Sequence, residues 1–117
     1  VLGGNMLRLT LFIECNNEEE ALLIMHECIK LNDKYTSSFE LFSKEAYWKF
    51  DGWYKIVFDI ETVSPINISK AELILKNFVN KWDWYGRDAV SSSEAPDTIF
   101  FDNRVRFSNC WFEELTL

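Results

Sequence analysis

The side chains that could do chemistry are few and scattered. His26 is the only histidine, and the three cysteines, Cys15, Cys28 and Cys110, share no spacing with it that would build a tetrahedral zinc site. Cys28 lies two residues from His26, an offset that on a helix points the side chains apart instead of into a nucleophile–base pair. Buried thiols and a histidine on a helix flank are the ordinary readings. Among the carboxylates, Asp59 and Glu61 alternate onto one face of a strand-like run, and Glu113 and Glu114 are adjacent near the end of the chain. General acid–base work needs such a group in a pocket with a displaced pKa; a solvated strand edge is the plainer expectation. No G-x-G-x-x-G or Walker loop occurs, nor a glycine-rich anion loop with an arginine of the acylphosphatase kind. The expectation is a chain that is not an enzyme, with no metal and no cofactor.

The elements that would position any site are clearer. Residues 69–82 predict a helix: Ser69 and Glu72 form a capping box, and Ala71, Ile74, Leu75, Phe78, Val79 and Trp82 make one apolar stripe. Before it, residues 7–15 alternate, with Leu7, Leu9, Leu11 and Ile13 on one side and Arg8, Thr10, Phe12 and Glu14 on the other, as in a half-buried strand. Asn16 and Asn17 then cap a helix whose first turn carries Glu18, Glu19 and Glu20, suited to the helix dipole, and which ends near Asn32. Residues 36–50 and 53–63 predict a hairpin joined by Asp51-Gly52 as a type I′ turn, with Tyr54, Ile56, Phe58 and Ile60 on one face. That register pairs Phe50 with Trp53, Trp48 with Lys55 and Lys44 with Asp59, and its placing of Glu45 opposite Phe58 predicts a bulge near residues 43–45.

Ser64-Pro65 closes this strand, and residues 82–97 read as an irregular loop. Residues 98–101, 104–107 and 110–115 read as strand segments, with a turn at Asp102-Asn103 and a change of face at Ser108-Asn109. The order is β-α-β-β-α-β, an α+β domain of ferredoxin-like, split βαβ type: an antiparallel sheet with two helices on one face and a C-terminal hairpin elaboration. The domain spans residues 6–117; Met6 reads as the native start and Val1–Asn5 as an expression remnant. The sheet face away from the helices would carry Arg8, Phe12, Trp48, Phe50, Trp53, Lys55, Val57 and Asp59, and nothing in the chain order covers it.

Charge narrows the partners. The 117 residues carry 19 acidic and 12 basic side chains, a net −7, which opposes nucleic-acid phosphates and anionic membrane surfaces and favours a basic partner. An RNA-recognition domain shares the topology and stacks bases on sheet aromatics, but its basic–glycine–aromatic signature is absent here. An odd number of cysteines argues against a disulfide framework and for a reducing cytosol. No apolar run reaches bilayer length, and no signal peptide is visible.

With 10 Phe, 5 Trp and 4 Tyr, strong acidity, a compact α+β order and the ending Cys-Trp-Phe-Glu-Glu-Leu, the chain resembles the small immunity proteins of bacterial polymorphic toxin systems, including contact-dependent growth inhibition. The resemblance implies a non-catalytic cytoplasmic inhibitor that binds a cognate toxin domain, often a basic nuclease. It transfers no residue, because immunity families differ in binding surface. Physical reasoning selects Trp53 and Trp48 as partner-binding anchors beside Phe12, with Glu14, Asp59 and Glu61 as charged surroundings; the loop from Asp83 to Asp88 is a second surface. Two other functions fit the same layout. One is a ferredoxin-like regulatory or small-molecule-binding domain acting as a homodimer through its sheet. The other is a small enzyme using the acids or thiols.

Overall fold

In the computed structural model, which describes residues 5–116, β1 (Met6–Glu14) lies inside a six-stranded antiparallel sheet. Its burial alternates strictly, with Leu7, Leu9, Leu11 and Ile13 fully buried, as the period of a pleated strand requires. The chain continues through α1 (Glu18–Lys30), a 3-10 turn at Asp33–Tyr35, β2 (Thr36–Ala46), β3 (Trp53–Thr62), α2 (Ile68–Phe78), β4 (Asp83–Tyr85), β5 (Asp88–Ser92) and β6 (Val105–Phe112). The strand order is β2-β3-β1-β6-β5-β4. Ala21, Ile24, Met25 and Cys28 of α1 and Ala71, Ile74, Leu75 and Phe78 of α2 join one core cluster with the buried set of β1 and with Ile56, Phe58 and Ile60 of β3. Both helices therefore cover the same face. The chain is α+β, and among the described residues no helix is long and apolar enough to cross a membrane.

Both helix starts are asparagine caps. Asn17 Oδ1 accepts from the Glu20 amide at 2.9 Å, as expected. For α2 the cap is Asn67, which accepts from the Lys70 amide at 2.8 Å, so the Ser69–Glu72 capping box does not form and Ser69 lies inside the helix. The same helix stops four residues before the expected end. Val79 turns extended and bridges to Phe100, while the Trp82 indole donates to the Leu75 and Val79 carbonyls at 2.9 and 3.0 Å. Trp82 thus occupies the end of the stripe as a cap for orphan carbonyls, outside the helix itself.

The β2–β3 hairpin corrects the expected register. Ala46 pairs with Tyr54, Glu45 with Lys55, Lys44 with Ile56 and Glu40 with Asp59, and residues 47–52 form a longer loop. Only Gly52 of the Asp51-Gly52 pair has positive φ, so the two-residue type I′ turn does not form. The register shifts at Phe42, one residue before the expected bulge, and again at Ser37. Glu45 opposite Lys55 is a favourable cross-strand pair, and the clash with Phe58 that motivated the bulge does not exist.

The extra hairpin also sits elsewhere. β4 and β5, inside the stretch read as an irregular loop, form it before the last strand, joined at Gly86. Gly86 has φ 65 and Arg87 does not share the positive region, the signature of a type II′ turn. Residues 105–112 are one strand, and its face changes at Arg106, where the pairing with β1 slips, instead of at Ser108-Asn109. Residues 98–101 form no strand; they bond to Phe78 and Asn80 around an isolated bridge of Phe100 to Val79. Asn5 belongs to the fold although it was grouped with the remnant: its carbonyl accepts from the Thr62 amide at 2.7 Å and its side chain donates to the Thr62 carbonyl. Residues 1–4 and Leu117 lie outside the described residues.

One buried polar side chain ties the two helices. Asn32, 2% exposed, donates to the Ile74 carbonyl of α2 at 3.1 Å and accepts from Asn77 Nδ2 at 2.7 Å. Asn32→Ala removes both of these bonds and the buried side chain that makes them, and we expect about 1–2 kcal/mol of lost stability, read from the urea midpoint.

Candidate functional site

The face of the sheet opposite the helices is built from the even-numbered residues of β1. The register seats Phe12 between Lys55 of β3 and Phe107 of β6. The loop 47–52 then folds over this end. Tyr47 meets Phe12 edge-on with centroids 4.9 Å apart, Phe107 lies 5.6 Å from Phe12, and Phe50 packs on Trp53 at 4.8 Å. These five rings line an open groove of about 560 Å³, whose rim adds Lys49, Arg106, Glu94, Ser92 and Ser93. Trp48 stands at the loop tip, 86% exposed, with its ring 6.0 Å from Tyr47. The longer loop explains why Phe50 still meets Trp53 although the two are not paired in the sheet.

Of the six anticipated partner-binding residues, four gather at this end. Phe12 and Trp53 are groove walls, Trp48 is exposed on the adjoining loop beside Tyr47, and Glu14 pairs across the sheet with Trp53. Asp59 and Glu61 lie on the same face but six and eight residues further along β3, about 20 and 26 Å away at strand rise. They are not surroundings of the tryptophans. Asp59 is also not a free acid: Arg8 donates to it twice, at 2.7 and 3.0 Å, while the guanidinium lies 4.0 Å over the Phe42 ring. That hydrogen bond raises the Arg8 pKa above its ordinary range. Glu61 is exposed in a shallow depression of about 380 Å³ lined by Met6, Ser38, Phe39, Glu40 and Asp59.

The charge around the rings departs from expectation as well. Lys55 Nζ lies over Phe12 and Lys49 Nζ over Phe50, each 5.8 Å from the ring centre, so Trp48 does not face Lys55 and the chain's own cations already sit on two rings. Arg106 is 3.9 Å from Glu14. The groove is an aromatic site of nearly balanced charge, with Lys49, Lys55 and Arg106 set against Glu14, Glu45 and Glu94. Sequence reasoning missed Tyr47 and Phe107 as walls; the alternation of residues 104–107 was the signal for Phe107, hidden by the slip at Arg106.

The second anticipated surface, from Asp83 to Asp88, is the β4–β5 hairpin. Trp84 stacks on the buried Phe112 with centroids 5.6 Å apart yet stays partly exposed, and Asp83 and Tyr85 are exposed beside it. His26 is exposed and meets Phe39 edge-on. Burial pushes the thiols of Cys15, Cys28 and Cys110 up, the last two most, which holds them as unreactive thiols. No family model, no curated protein and no solved structure matches the chain.

The start of β6, and with it the Arg106 and Phe107 walls, is fixed by the turn at Asp102. Its carboxylate accepts from Arg104 Nη2 at 2.7 Å, Nε at 3.0 Å and the Arg104 amide at 2.9 Å, and Arg104 Nη1 reaches Glu20 of α1 at 3.2 Å. The Arg104 hydrogen bonds hold the Asp102 carboxyl below the usual range. A depressed folded pKa stabilises above the unfolded value, and the contribution vanishes as pH falls through the folded one. Asp102→Asn should therefore lower the urea midpoint at neutral pH, with the two proteins converging below about pH 4.

Proposed function

We propose that this chain is a non-catalytic binding protein of the immunity type, which holds and neutralises a basic toxin domain. The carrying observation is the uncovered sheet face with its ring-lined groove and the exposed Trp48 on the loop beside it. Exposed tryptophan and tyrosine on a preformed surface are the residue types that dominate binding energy in protein interfaces. The net charge of −7 supports a basic partner through faster, steered encounter, which matters for an inhibitor that must act before its target does. Three unpaired thiols fit a reducing compartment, and the proposal places the chain in the cytoplasm. For the fold, we infer a ferredoxin-like core: strands β2-β3-β1-β6 with α1 and α2 keep the split βαβ order, and the β4–β5 hairpin is added beyond β6.

The test is functional pairing. A basic protein held one-to-one by the chain should arrest growth when expressed alone, and co-expression of the chain should relieve the arrest. A captured protein without such toxicity, or a symmetric dimer that buries Trp48 and Trp53, removes the reading in favour of the regulatory homodimer. Within it, the double variant Trp48→Ala, Trp53→Ala should keep a native circular dichroism spectrum and lose about 2 kcal/mol or more of toxin affinity, roughly thirtyfold in Kd by titration calorimetry.

A further inference from the structure

We propose that the free edge of β2 takes an extended, basic segment of the partner as an added strand. This rests on the inhibitor reading above, which sets the partner's charge. β2 pairs only with β3, so one side of its eleven-residue backbone is open, whereas the opposite edge of the sheet, β4, has three residues. Nine of the eleven are exposed, among them Phe39 at 45%, Leu41 at 36% and Phe42 at 61%. An open edge with exposed apolar side chains is a template for pairing unless proline, lysine or a bulge guards it. β2 has no proline, and its one lysine, Lys44, is held by Glu18 at 2.9 Å. The shifts at Ser37 and Phe42 are bulges that guard both flanks, and they confine the open template to residues 38–41, which keep unbroken register with β3.

Charge selects the occupant. Glu40 lies opposite Asp59, a like-charged pair in which Arg8 satisfies Asp59 alone. Among the described residues, neither Glu40 nor Glu61 has a cation within 4.0 Å, and neither does Glu45 further along the strand. A strand with Lys or Arg at alternate positions would bond its backbone to β2 and set its cations against these acids. A second copy of the chain would instead bring its own Glu40, Glu45 and Glu61 to the same edge.

The experiment uses the full chain and a short peptide alternating Lys with Val, with a Glu–Val peptide as counterpart, read by amide hydrogen exchange and by titration. The Lys–Val peptide should slow exchange of the β2 amides, the Glu–Val peptide should not, and Glu40→Lys with Glu61→Lys should weaken the Lys–Val peptide by about tenfold. Equal binding of both peptides, protection confined to the ring-lined groove, or β2 protection that grows with concentration of the chain alone overturns the proposal. A toxin bound through Trp48 and Trp53 with the β2 amides still exchanging freely removes the edge and leaves the inhibitor reading standing. Protection of β2 by the Lys–Val peptide in a chain that holds no toxin does the reverse.

Discussion

The burial of Leu7, Leu9, Leu11 and Ile13 beneath two helices is the constraint from which the rest of the molecule follows. Because a strand's side chains alternate with period two, committing these four to the core commits Arg8, Thr10, Phe12 and Glu14 to the other face, in the middle of the sheet. α1 and α2 lie on the first side, so the second has no covering layer among the described elements. A central strand with a one-sided core must either be polar on its free side or offer that side to something. Here the free side carries Phe12 flanked by Phe107 and Lys55, with Trp53 opposite Glu14. The loop 47–52 supplies Tyr47 and Phe50 to the same end, which turns a flat sheet surface into a groove.

The same face separates two kinds of recognition along its length. At the loop end, cations of the chain lie over the rings, and Arg106 approaches Glu14, so local charge is nearly balanced and contact there is a matter of shape and apolar area. At the β2 end, Asp59 is neutralised by Arg8, but Glu40 and Glu61 are not. Asp59 lies about 20 Å from Trp53 along the strand, beyond the screening length of roughly 8 Å at physiological salt, so the acids at the far end add little field at the rings.

Much of the architecture was legible because it depends on periodicity. The alternation of β1, the acidic first turn of α1 with its Asn17 cap, and the face of Tyr54, Ile56, Phe58 and Ile60 are local patterns, and the fold keeps them. What was not legible depends on competition between equivalent local signals. Asp51-Gly52 is a strong turn pair, but six residues of loop allow Tyr47 to reach Phe12 and Glu45 to face Lys55, and tertiary packing overrides the tight turn. Asn67 and Ser69 are both good caps, and the parallel bridge of Asn67 to Thr116 holds the earlier one in place. Gly86 marks the turn of the β4–β5 hairpin, but β4 is three residues long, too short for alternation to show beside it.

The candidate site was legible in its residue types and not in its grouping. Phe12, Trp48 and Trp53 share one end because β1 and β3 are neighbours in antiparallel register, an inference that chain order already supports. Asp59 and Glu61 were joined to them because alternation assigns a face and says nothing of distance along it; at 3.3 Å per residue a strand can carry one chemistry at each end. The bidentate contact of Arg8 with Asp59 depends on the pairing of those two residues across β1 and β3, which a four-residue error at Asp59 in the neighbouring hairpin does not disturb. Within one sheet, then, the central register is fixed by the core and is recoverable from alternation, while the edge strand, with nothing on its far side, takes its register from loop packing. That edge, least determined by the chain itself, is where an incoming strand meets the fewest prior commitments.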